Sequence, residues 1–193
     1  MSSWLALDGG WSEPAEAEHA TLDLLGSMGV DPGTTTACTH LVAAGTAAAH
    51  VAATVEIPTV PAGGLPSVPA GTAVATLIGE GVQDGAGPAP LLAFAREALA
   101  AHRRGLGGRA FQFPGQAGVA GGLTVREIGR RTAIAAVVDL AGRVLPEADV
   151  VQTFGFVRPT YSAGRLALMV GPYADGQHVP FELEHPTRCC AFH

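Results

Sequence analysis

Residues Pro90–Arg104 read PLLAFAREALAAHRR, followed by Gly105. Leu91, Ala95, Ala98, Leu99 and His102 recur at helical spacing, so the segment is predicted to be a helix that buries this stripe. Arg103, Arg104 and Gly105 form a C-terminal ending, with the arginines favouring the helix's negative end. Working outward, a second helix is expected over 13–28, where Ala17, Ala20, Leu24 and Met28 form an apolar stripe and Gly29 is the stop. Its acids at 13, 16 and 18 suit the early turns. A third helix is expected to start at Thr124, whose spacing to Glu127 fits a capping box, and to run to about Val144.

The rest has strand character in short pieces. Threonines and valines favour strands over 36–44 and 51–57, with an alanine-rich middle that also suits a helix. Further strands are expected over 72–78, 109–113, 150–157 and 166–170, and the alternation of Val179, Phe181 and Leu183 with polar residues marks another. Pro180 places that last one at an edge or a beginning, since it has no ladder donor. Trp4 to Trp11 reads as a short lead with two packing anchors. Prolines and glycines over 58–69 make a long structured loop, and 79–88 is turn-rich. These elements predict an α+β fold, with helices packed on a mainly antiparallel β-sheet in a two-layer sandwich, and a single domain over 1–193.

Composition narrows the function classes. All eleven basic residues are arginine. The lack of lysine excludes a Schiff-base lysine, a P-loop lysine and a serine-lysine pair. Six acids in the first 31 residues leave the remainder balanced at eleven acids and eleven arginines. That balance argues against a nucleic-acid partner. No apolar run approaches the length of a membrane helix and no secretory leader is evident, so no membrane partner and a cytoplasmic location are expected. Cysteines at 38, 189 and 190 do not form a disulfide framework. A chain that is 48% hydrophobic and only 15% charged carries much weakly polar surface, and burying it makes a homo-oligomer the expectation.

Three constellations could carry chemistry. The C-terminus gathers His178, Glu182, Glu184, His185, Cys189, Cys190 and His193. A continued strand would put His178, Glu182 and Glu184 on one side, while His185, Cys189 and His193 have four-residue helical spacing; a cysteine and two histidines can bind zinc. No paired CxxC knuckle accompanies them, and no metal ligand is assigned. Cys38 and His40 share one face of a strand, so a histidine could stabilise a Cys38 thiolate. Ser27, Ser67 and Ser162 lack a GxSxG elbow. The third constellation is QFPGQAGVAGG over 112–122, leading to the Thr124 helix, where Gln112, Gly115, Gly118, Gly121, Thr124 and Arg126 could hold an anionic group on backbone amides and added positive charge.

The portion QFPGQA is similar to the Q/RxxGxG/A pyrophosphate-binding turn of the GNAT N-acetyltransferases. The resemblance covers six residues, has Ala117 where the last glycine stands, and is followed by an extra glycine-rich stretch. It implies acyl-CoA contacts at Gln112, Gly115 and Ala117. The leading expectation is therefore a small-molecule enzyme, an acyl or other group transferase acting on an anionic substrate or cofactor of unknown identity. His40 or His178 would accept a proton and Tyr161 or Tyr173 would protonate a leaving group. The alternatives are a non-catalytic assembly or small-ligand-binding protein, and a metal-dependent enzyme using the C-terminal cluster.

Overall fold

The computed structural model describes residues 3–57, 68–78 and 81–184. The chain runs β1 (Ser3–Trp11), α1 (Pro14–Ser27), β2 (Thr36–Val42), β3 (His50–Ile57), β4 (Ala73–Ile78), β5 (Gly81–Ala86), α2 (Ala89–Arg103) and β6 (Gly107–Gln112). It continues through β7 (Gly122–Thr124), α3 (Val125–Arg131), β8 (Ala136–Val138), β9 (Val150–Gln152), β10 (Thr160–Ser162), β11 (Arg165–Pro172) and β12 (His178–Pro180). Two compact units result, one of residues 1–114 with 160–165, the other of 115–159 with 166–193. The expected α+β class holds: helices pack against a large, mostly antiparallel β-sheet.

In the first unit the strand order is β5-β4-β1-β3-β2-β6-β10. β1 and β2 both pair antiparallel with β3, which lies between them, so β1-α1-β2 is a split crossover. α1 is stopped at both ends by its own sequence: Glu13 and Glu16 form a capping box, and Gly29 follows in the left-handed region. Its Leu25 packs with Leu5, Ala37, Val55, Ile57 and Val74. α2 packs with Ala6, Ala75 and Leu77 through Ala95 and Leu99, and with Val42 and Ala52 through Ala98. Successive strand residues point to opposite faces, so Leu5 and Ala6, or Val74 and Ala75, belong to different layers. The helices therefore cover opposite faces and this unit has three layers, where two were expected. Alanines on the α2 face leave room for the helix and for polar side chains beside it.

Other boundaries differ for local reasons. The expected lead is β1, a central strand; Asp8-Gly9-Gly10 forms a bulge in it, with the pairing to β3 shifting between Leu7 and Trp11. The alanine-rich middle of 43–49 is turn, and 81–86 is a glycine-bearing strand at the end of the sheet order.

In the second unit the order is β11-β12-β9-β7, with β8 parallel to β11. The Thr124–Glu127 capping box is present. α3 nevertheless ends at Arg131, far short of 144. The Thr132 hydroxyl donates to the Ile128 carbonyl at 2.9 Å and accepts the Ile134 amide at 3.0 Å, diverting the chain into β8. β9 stops at Gln152 because Phe154 and Gly155 take positive φ. β12 ends at Pro180 and also pairs with β9 through His178, so it is no edge at that end, and Glu182 and Glu184 do not continue it.

Candidate functional site

Alternation along β2 puts Thr36, Cys38 and His40 on the face that α2 covers. The register with β3 sets Thr36 opposite Glu56 and Cys38 opposite Thr54. The last turn of α2 brings His102 over the same place. His40 Nε2 lies 2.8 Å from Thr54 Oγ1, and His102 Nδ1 lies 2.7 Å from the same oxygen. The two imidazole centroids are 6.0 Å apart, and the Tyr161 ring from β10 is 5.1 Å from His102.

Gly108 on β6 makes room for this arrangement. It has φ +81°, and a Cβ built there would stand 2.7 Å from His40 Cε1 and 3.2 Å from Cys38 Cβ. Both its backbone and its neighbours demand glycine.

Every titratable group of this core cluster is held in its neutral form. Burial pushes His40 down to about 4. Burial, then the like charge of a protonated His40, pushes His102 down to about 3. The Tyr161 phenol is pushed up to about 12 by burial, then by Cys38 and Glu56, against a hydrogen bond with Thr36. Burial foremost, with Glu56 adding, raises the Cys38 thiol. The Thr54 hydroxyl has one proton, so it donates to one neutral ring and accepts from the other. The result is a directional chain with two arrangements. At its end His102 Nε2 is buried and meets no hydrogen-bond partner among the described residues. Such an atom costs about 1–3 kcal/mol if nothing pairs with it.

Of the residues singled out from sequence, Cys38, His40 and Tyr161 are gathered in the first unit. Cys38 is fully buried and its thiol is held protonated, the opposite of the conditions that make a thiolate nucleophile; His40 turns Nε2 to Thr54. Thr54 and His102, which complete the cluster, were not among the candidates read from sequence. The available signal was a histidine on the buried stripe of a helix, where an imidazole must find a partner.

A second polar pair lies on the same sheet face. Asp8, fully buried, accepts the Gly10 amide at 2.8 Å and faces His50 Nε2 at 2.9 Å. His50 Nδ1 is 2.7 Å from the Ala48 carbonyl. Both ring nitrogens thus face acceptors and both must donate, which describes an imidazolium. Burial opposes that charge, but the Ala48 carbonyl and Asp8 outweigh it and raise the ring's pKa.

The remaining candidates fall elsewhere. Gln112 closes β6, paired with Ala37, in the first unit. Gly115, Gly118, Gly121, Thr124, Arg126 and His178 are in the second. A side chain at Gly115, φ +82°, would run into the Arg131 carbonyl, so this glycine serves the packing of the turn on the end of α3. The amides that open α3 are already engaged. Val125 donates to the Asp149 carbonyl, Arg126 to the Glu147 carbonyl, and Glu127 to Thr124 Oγ1, while the Thr124 amide donates to the Glu127 carboxylate. The Arg126 guanidinium pairs with Glu147 at 2.7 Å. This helix start has spent internally the donors that an anion would use. His178 Nε2 lies 3.3 Å from Asp149.

Among the described residues no group of three His, Cys, Asp or Glu side chains converges as a metal site. His185, Cys189, Cys190 and His193 lie outside the described residues. No helix among the described residues is long and apolar enough to cross a membrane. Comparison with protein-family models, with curated proteins and with solved structures finds no match to this chain.

Proposed function

We propose that the protein is a small-molecule enzyme that handles an uncharged polar group, such as a hydroxyl or an amide, against the His40–Thr54–His102–Tyr161 cluster. One observation carries this reading: among the described residues His102 Nε2 is a buried atom without a hydrogen-bond partner, at the end of the His40–Thr54–His102 chain. Charging either ring is costly there, so the chemistry suited to the cluster is transfer through tautomers. A proton accepted at His102 Nε2 sends the Nδ1 proton to Thr54 Oγ1, the Thr54 proton to His40 Nε2, and a proton out from His40 Nδ1. One proton enters, one leaves, and no ring carries charge at the end. Tyr161, protonated up to high pH, is a donor beside that path. A group transfer that activates a substrate hydroxyl or amide by removing its proton would use this relay.

The second reading is non-catalytic binding of a small ligand. Rings that titrate near 3 and 4 are weak general bases at neutral pH, which favours recognition over catalysis. Self-association into a homo-oligomer is compatible with either reading, and the weakly charged composition supports it.

Imidazole nitrogen NMR on histidine-labelled protein tests the site. Titration with a simple alcohol, a primary amide and acetyl-CoA is expected to move the His102 Nε2 resonance with at least one of them, and His102→Phe is expected to abolish that binding. If none moves it, and His102→Phe leaves the chain folded and more stable, the cluster is a packing network and the proposal fails.

A further inference from the structure

The contacts of α2 advance along β3 in even steps. Phe94 meets His50 edge to face, Ala98 packs with Ala52, and His102 reaches Thr54. Four residues of helix rise about 6 Å and two residues of strand about 6.7 Å, so each turn of α2 meets the next residue on the shared face. The residue after Thr54 on that face is Glu56. No further turn covers it, because α2 ends at Arg103 and Gly105 takes φ +62°. A Cβ on Gly105 would stand 2.5 Å from Gly164 Cα, and the Gly164 amide donates to the Gly105 carbonyl at 3.1 Å, so the helix stops against the turn between β10 and β11.

Glu56 is flanked on both sides. The register of β1 with β3 puts Trp4 opposite it, and that of β2 with β3 puts Thr36 on its other side. Register partners project to the same face, so these three side chains form a row next to the Thr54–Cys38 row of the cluster. Tyr161 joins the two rows: its ring lies 5.1 Å from that of His102 and its hydroxyl hydrogen-bonds with Thr36. The Glu56 charge is felt in both rows. Burial and then Glu56 raise the Cys38 thiol; burial, Cys38 and then Glu56 raise the Tyr161 phenol.

This corner is built for positive charge. Trp4, Glu56 and Tyr161 are all partly exposed. Among the described residues no arginine or histidine pairs with the Glu56 carboxylate. The Arg104 guanidinium, at the end of α2, turns back to the Ala100 carbonyl at 3.1 Å. The carbonyl end of a 15-residue helix favours a cation within its last turn. An indole ring beside a carboxylate adds a π face to which an alkylammonium is attracted.

We propose that the ligand of the cluster is an amine: Glu56, with the Trp4 ring beside it, holds an ammonium group while a hydroxyl or amide of the same molecule meets His102. The proposal rests on the ligand reading of the cluster and extends it by one row. The two polar ends of the ligand are then separated by about one two-residue step of strand, roughly 7 Å.

Nitrogen NMR of the full chain, read at the His102 imidazole and the Trp4 indole, is the test. Terminal amino alcohols of three, four and five carbons are titrated to about 100 mM near neutral pH against the diols of the same length, since ligands of so few atoms bind in the millimolar range. At least one amino alcohol is expected to move both resonances, with a Kd about 10-fold below that of its diol. Glu56→Gln is expected to erase that difference and to leave diol binding in place. A thermal melt reports whether this variant folds, and the comparison within wild type decides if it does not. Amino alcohols that bind no more tightly than their diols, or that keep their advantage in folded Glu56→Gln, overturn the ammonium site and leave the ligand reading of the cluster standing. If neither series moves either resonance the ammonium site falls as well, and the alcohol, amide and acetyl-CoA titrations then decide the cluster by themselves.

Discussion

His50→Phe is the sharpest perturbation of the first unit. Phenylalanine keeps an aromatic ring against Phe94, whose centroid lies 5.2 Å from that of His50, and removes both N–H donors and the charge. Asp8 would retain only the Gly10 amide, on a side chain with no exposed surface. Removing one member of a buried ion pair costs about 3–5 kcal/mol, largely the burial of the charge left behind. For a chain of this size that is on the order of 10 °C in Tm. Asp8→Asn with His50→Phe should recover much of the loss, since removing both partners is often near neutral. The pH dependence has a definite sign. The folded-state pKa of His50 is raised above its unfolded value, so its contribution is fully present below about pH 6.5 and is lost as pH rises through the folded value. Urea denaturation of wild type and His50→Phe from pH 5.5 to 9.5 should show a gap that is widest at the acid end and narrows upward. A gap below about 1 kcal/mol, or one constant across that range, would refute the imidazolium–carboxylate pair.

Three further outcomes follow from the core cluster. Gly108→Ala forces a left-handed alanine into His40 and is expected to cost about 2 kcal/mol or more in urea denaturation, with a shifted His40 ring signal in NMR; a neutral effect would mean the strand can shift freely there. Cys38 should react with a bulky thiol reagent only as fast as the first unit opens, so the rate should rise with urea in step with exchange of the β2 amides. Prompt labelling of Cys38 in the native state would contradict its burial. His40 and His102 have depressed folded pKa values, so their contribution is present above about pH 6.5 and is lost as pH falls toward 4 and 3. Thr54→Val, which orphans a nitrogen on each ring, should cost about 2–4 kcal/mol at pH 7; a stable variant with unchanged imidazole shifts would remove Thr54 from the network.

Legibility in the sequence followed the range of the forces involved. α1, α2 and the Thr124 capping box were readable because caps, stops and stripes are local, and 3.6-residue periodicity survives in any context. β1 was not, because Asp8-Gly9-Gly10 carries turn chemistry whose outcome depends on whether strands pair on both sides. The end of α3 depended on one hydroxyl, that of Thr132, choosing a carbonyl behind it and an amide ahead. In the site, Cys38 and His40 were visible as a face of one strand, and Tyr161 only as an available donor. Thr54 entered through the β2–β3 register and His102 through the crossing of α2, and both are tertiary facts. The glycines at 115, 118 and 121 suggested an anion loop; in the fold Gly115 is needed for close approach to the Arg131 carbonyl, which composition alone does not distinguish from an open cradle.

The face beneath α2 shows how one sheet can shift the pKa values of its histidines in opposite directions. His50 lies beside a buried carboxylate and a carbonyl that favour its charged form; His40 and His102 share a hydroxyl that accepts from one ring and donates to the other, and a proton on either ring would confront its neighbour. Purely apolar packing could have covered this face, as Leu5, Val55 and Ile57 do on the α1 side. Alanines at 6, 52 and 75 instead leave depth that polar groups fill, at a desolvation cost that apolar side chains would have avoided. The Asp8–His50 pair satisfies its groups within the protein and so accounts for itself as structure. Among the described residues His102 does so through Nδ1 alone. Its Nε2 is where the two accounts of the cluster diverge, because a packing network gains from replacing that ring with phenylalanine and a ligand site loses its binding.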